Sequence, residues 1–156
     1  MPYHSPLPDL GLAPEFSGLG PWFNSQPLSL ASLGGKVVFV HFWTLGCSNC
    51  IATLPHIRGY WSKFKDTSFV LIGVHTPEFT YEKLPSNVQD ALKRFSIRYP
   101  VPMDNDFGTW NGFSNRYWPA AYIIDKTGHI RFSHFGEGAY DEMERVIGDL
   151  LKETSA

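Results

Sequence analysis

Cysteine, runs of charge and long apolar stretches are all scarce in this chain. Only two cysteines occur in 156 residues, Cys47 and Cys50. Two cannot build the disulfide framework of a small secreted domain, and a bridge closing a four-residue loop constrains the unfolded chain little. A structural staple is therefore a weak reading. The 13 basic and 15 acidic side chains are scattered and sum to a net charge of −2. That pattern provides no electrostatic footprint for nucleic acid or for an anionic membrane surface. No apolar run approaches the roughly 20 residues needed to cross a bilayer, so no membrane insertion by this chain is expected. The opening MPYHSPLPDLGLAPEF has neither the basic segment nor the apolar segment of a signal peptide.

What is present is a large apolar complement, 43% of residues with 15% aromatic, enough for one substantial core. We expect one domain over 1–156, with 1–13 as an irregular lead. Leu28 and Leu30 alternate with polar neighbours before Gly34 and Gly35, which predicts a short strand or an N-terminal hairpin. KVVFVHFW, from Lys36 to Trp43, reads as a strand buried on both faces, and SFVLIGVH as a second. Between them Leu54, Ile57, Trp61 and Phe64 mark one face of a helix that starts near Ser48, with Pro55 expected to kink it. Strand, helix, strand makes a parallel unit, hence the α/β class. A helix follows over SNVQDALKRFSIRY, capped by Ser86 or Asn87 with Val88, Leu92 and Phe95 inward. Then come a short strand at Val101 to Met103, a turn at DNDFGTW, a hairpin of AAYIID and HIRFSHF, and a closing helix from Asp141 to Lys152. DNDFGTW lacks the glycine and terminal glutamate of a calcium loop at the required offsets and reads as a turn and helix cap.

The two cysteines stand as Cys-x-x-Cys where the first buried strand meets the helix. Unpaired amides and the helix dipole at that junction favour an anion, so the Cys47 thiol should ionise below its free value of about 8.5. Cys50, one turn on, reaches the same sulfur. A thiolate that attacks a disulfide forms a mixed disulfide, and a second thiol in reach resolves it. The competing reading is half of a zinc site, but zinc takes about four ligands. No second cysteine pair exists, and His41, His56 and His75 stand outside any H-x(3)-H pair.

GKVVFVHFWTLGCSNCIATLP, YWPAAYIIDKTGHI and HFGEGAY together resemble the thioredoxin-like superfamily, in particular the TlpA/ResA branch and DipZ-type domains, over about Pro14 to Leu151. The resemblance implies a three-layer sandwich: a mixed central sheet with helices on both faces, here with the extra N-terminal hairpin. It also implies a thiol–disulfide oxidoreductase in which Cys47 attacks, Cys50 resolves and Pro119 is a cis-proline; the residue-level alternative is a trans proline opening an edge strand. Trp43 and Trp118 should flank the pair and, with Gly46, offer a surface for a partner's chain; plain core packing weighs at least as much for Trp43, and Trp118, next to Pro119, is the better contact. The redox-active disulfide would be the sole redox group, with no further cofactor and no metal. The partners would be protein thiols or disulfides and an upstream electron donor, met by a monomer outside the cytoplasm.

Three positions depart from the family pattern. Gly46 stands where thioredoxins place tryptophan, His41 where they bury an acid, and Thr53 where ResA-like proteins place glutamate. His41 is then a candidate proton relay to Cys50, weighed against a buried strand histidine satisfied by a backbone carbonyl. A charged His41 would favour thiolate and raise the potential. Two further functions compete. Thr44, three residues before Cys47, fits a peroxiredoxin-like AhpC/TSA-type peroxidase, although Val40 stands where that pattern has proline. A copper chaperone would use both thiolates and a histidine, although such relatives space their cysteines by three residues.

Overall fold

A computed structural model describes residues 2–154; residue 1 and residues 155–156, the outermost positions of the expected 1–156 domain, lie outside it. The two apolar runs form β2 (Val37–Trp43) and β3 (Phe69–His75), paired in parallel from Val37↔Phe69 to Trp43↔His75. Every residue of β2 is buried, as expected of a central strand covered on both faces. The helix α1 (Ser48–Phe64) makes the crossover and runs on through Pro55. β5 (Ala120–Ile124) lies antiparallel on the other side of β2, and β6 (Ile130–Phe135) antiparallel to β5, giving the order β3-β2-β5-β6.

Alternation along β2 divides the core. Val37, Phe39 and Trp43 pack with Cys50, Leu54 and Ile57 of α1 and with Met143, Val146, Ile147 and Leu150 of α4 (Tyr140–Lys152). Val38, Val40 and Phe42 face the other way, onto Trp110 of the short α3 (Gly108–Gly112), Phe113, and Phe16, Leu19 and Leu28 of the segment ahead of β2. The mixed sheet between helical layers agrees with expectation, although the second layer is completed largely by irregular chain.

The N-terminal hairpin is not formed. Glu15 accepts hydrogen bonds from Leu30 N (2.7 Å) and Ala31 N (3.0 Å), and Ser29 and Ser32 bond to each other's backbone, winding Ala31–Leu33 into a 3-10 turn. The alternating leucines thus reflect two contacts with the core below rather than a strand. The segment ahead of β2 pairs elsewhere. Its β1 (Trp22–Phe23) joins β4 (Val101–Pro102) antiparallel, and residues 10–13 run antiparallel along the start of β6, covering an exposed sheet edge. The second long helix, α2 (Pro85–Arg94), starts at Pro85 rather than at Ser86 or Asn87, because proline suits the first helical position, where no N–H partner is needed. It keeps Val88 and Leu92 inward, and Phe95 lies just past its end. Asp104 caps α3 through Thr109 N (3.1 Å) and Trp110 N (2.9 Å), as read from the sequence.

Candidate active site

The carboxyl ends of β2 and β3 and the start of β5 meet at one pole of the sheet. Thr44 to Gly46 turn the chain out of β2, and Cys47 is the N-cap of α1. Its sulfur accepts from Cys50 N at 3.2 Å, the bond that places a side-chain acceptor on otherwise orphaned helix amides. Both thiols are free; Cys47 is half-buried and Cys50 fully buried. The hydrogen bond from the Cys50 thiol, joined by the amides of Cys50 and Asn49, pulls the Cys47 thiol down to about 7 against burial and the charge of Glu78. Burial, then the bond to Cys47, pushes the Cys50 thiol far up. One sulfur is thus poised to ionise near neutrality while its neighbour is held protonated.

The Trp118–Pro119 bond is cis. Pro119 is buried and adjoins Ala120, which pairs with Phe42 of β2, so it stands at the same pole as the cysteine turn. Trp118 is half-buried, donates its indole N–H to Thr76 O at 2.8 Å and packs on Trp110 at a centroid distance of 4.2 Å. Gly46 is exposed beside Cys47. Trp43 is not at the surface. It is 0% exposed, its indole N–H is bonded to Gly73 O at 3.2 Å, and it belongs to the core as an odd-numbered residue on the α1 side of β2.

His41 lies on that same side of β2 and is 1% exposed, and neither ring nitrogen has a hydrogen-bond partner. The carbonyl partner expected of a structural histidine is therefore absent. Burial pushes the imidazole down to about 3, so it is a neutral acceptor and not a cation beside the thiols. Thr53 bonds to Asn49 O (2.9 Å) and lies 3.3 Å from the Tyr140 hydroxyl. The hydroxyl of Thr44 is turned to His75 Nε2 (3.3 Å). Among the described residues no three His, Cys, Asp or Glu side chains cluster as a metal site would require.

Two residues shape the turn, one weighed in the sequence only as a metal ligand, His75, and one passed over, Glu82. His75 Nε2 accepts from Leu45 N (3.2 Å), and the fully buried Glu82 accepts from Gly46 N (2.9 Å), Glu78 N (2.8 Å) and Phe79 N (2.7 Å). The only local signal was an acid three residues after Phe79, the capping-box offset. Glu78 and Glu137, read as solvated, are exposed.

Known proteins share this arrangement. The model of the AhpC/TSA family matches residues 11–133. Protein DipZ of Mycobacterium tuberculosis (strain CDC 1551 / Oshkosh) is 43% identical over 150 residues, covering 94% of this chain; the chain spans only 22% of that relative's length. Thiol-disulfide oxidoreductase YkuV of Bacillus subtilis (strain 168) is 28% identical over 90% of this chain and 95% of its own. The crystal structure of a thioredoxin-like superfamily protein superposes with a TM-score of 0.86 at 28% identity, covering 94% of this chain and 99% of the other. With the family model matching most of its length and the whole fold superposing on a thioredoxin-like protein, the chain belongs to the AhpC/TSA family and has the thioredoxin-like fold.

Proposed function

We propose that this domain, acting as one unit, is a thiol–disulfide oxidoreductase that reduces disulfides of protein partners. The carrying observation is the asymmetry of the pair: a half-buried Cys47 whose thiol sits near 7, beside a buried Cys50 held protonated. The Cys47 thiolate attacks one sulfur of a partner's disulfide, forming a mixed disulfide while the partner's other sulfur leaves as a thiolate and takes up a proton. Cys50 then gives up its proton and attacks the Cys47 sulfur. The Cys47–Cys50 disulfide forms, and the partner leaves with both sulfurs reduced. Two electrons pass to the partner, and a thiol donor returns them. In this reading His41 passes the Cys50 proton on without holding it, since burial opposes its charged form, and Trp118, Gly46 and the backbone at Pro119 receive the partner chain. The two sulfurs carry the electron pair without a further cofactor.

Insulin reduction driven by dithiothreitol tests the reading. Turnover should vanish in Cys47→Ser, and Cys50→Ser should accumulate the mixed disulfide; turnover persisting in Cys47→Ser would sink it. A reduction potential near about −270 mV fits a reductant and one near about −120 mV an oxidant. The family match keeps a peroxidase in view, and hydrogen peroxide turnover surviving Cys50→Ser would favour it. The Thr44 hydroxyl, committed to His75, speaks against that chemistry. We assign the action to a compartment outside the cytoplasm from the TlpA/ResA resemblance, with the domain working as a monomer. Among the described residues no helix is long and apolar enough to cross a membrane.

A further inference from the structure

We infer that Glu82 is a positioning residue of the thiol pair: its buried carboxylate clamps the turn that carries Cys47 to the loop bearing Phe79 and Tyr81, and so restrains the reactivity of Cys47. The inference rests on reading Cys47 and Cys50 as a redox pair. One oxygen, Oε1, takes the amides of Glu78 and Phe79 and closes the 3-10 turn Thr80–Lys83; local capping requires no more than that. The other, Oε2, reaches across 36 residues of sequence to the amide of Gly46, immediately before Cys47. A carboxylate with no exposed surface is costly unless its oxygens are met by donors, and three amides meet this one.

Gly46 is matched to this clamp. A Cβ there would lie 2.6 Å from Glu82 Oε2 and 3.2 Å from Tyr81 Cζ, and would run into the Tyr81 hydroxyl. The absence of a large side chain before Cys47 thus has a geometric cause: the space is filled from another loop. Phe79 and Tyr81 stack 6.4 Å apart beside it, about half exposed. Cys47 faces the Cys50 thiol and the charge of Glu78, while His75 and Cys50 feel the charge of Glu82. A fixed anion at the turn opposes a second negative charge on sulfur, and by engaging the Gly46 amide it withholds one donor from the thiolate.

The test uses the reduced full chain and follows iodoacetamide alkylation of Cys47 against pH, with the disulfide equilibrium in glutathione buffers and the melting temperature alongside. Glu82→Gln should lower the alkylation midpoint by about half a unit, roughly threefold more thiolate below the midpoint, and make the disulfide more oxidising. Glu82→Asp, which keeps the charge, should lie nearer wild type. A melting temperature that falls while midpoint and equilibrium stay put, or a midpoint that rises, overturns the proposal. Gly46→Ala displaces Oε2 while leaving the Glu78 and Phe79 bonds and the charge, so a smaller shift in the same direction is expected from it, and no shift or a rise counts against the proposal should Glu82→Gln not fold. Alkylation is read on free thiols. A wild type that forms no reversible disulfide with glutathione would therefore sink the redox reading without touching this measurement.

Discussion

At the pole where β5 ends, the buried Arg131 makes five hydrogen bonds: to Pro8 O (2.9 Å), Ser5 O (2.9 Å), Leu7 O (2.7 Å), Asp125 (3.0 Å) and Glu153 (2.9 Å). At the opposite pole, where β2 ends, His41 has no partner for either ring nitrogen, and His75 Nδ1 has none either. Both poles bury polar groups, but one saturates them and the other leaves some idle. A saturated network holds the fold in one arrangement; an idle neutral imidazole costs stability and leaves its end of the sheet less firmly tied. The difference marks which pole is built to stay and which to react.

Breaking the saturated pole should cost most. Arg131→Met leaves the Asp125 and Glu153 carboxylates buried without their cation and should destabilise by about 3 to 5 kcal/mol in urea denaturation, while the alkylation midpoint of Cys47 stays where it is. Acid should act next. Burial works to raise the Asp125 carboxyl, but the His129 amide, Thr127 and Arg131 together hold it below its usual 3.8. Its contribution is present above that value and lost as pH falls below it, so wild-type stability should decline below pH 3.8. In Arg131→Met the Asp125 carboxyl loses one of the groups that hold it down, and the slope should flatten. The idle pole should give the smallest stability effect. His41→Leu removes unsatisfied groups and should stay within about 1 kcal/mol of wild type, yet resolution of the mixed disulfide should slow by about tenfold or more. A His41→Leu protein that loses several kcal/mol with unchanged resolution would dissolve the contrast.

The chain announces its centre and conceals its ties. The apolar runs of β2 and β3, the face of α1, the cysteine turn and the hairpin at Asp125 to His129 were legible because each is a local pattern of period or turn chemistry. The leucines at 28 and 30 misled because period two arises wherever alternate residues touch a core, strand or not. For Trp43 the sequence left core packing and substrate contact both open, and the register against Gly73 and His75 decides for the core. Glu82, His75 and Arg131 carry no local signal equal to their role, since their partners lie 36, 30 and up to 126 residues away. Long-range satisfaction of buried polar groups is invisible to periodicity.

The Arg131 network also decides where the described chain ends emerge. Thr154 N donates to Tyr3 O at 3.1 Å and Tyr3 N to the Thr154 hydroxyl at 3.0 Å, so the two ends run side by side at the pole away from Cys47. A short linker could join them into a circular permutant. A surface tether or fluorescent label attached at either end would leave the reactive sulfur facing outward, unobstructed.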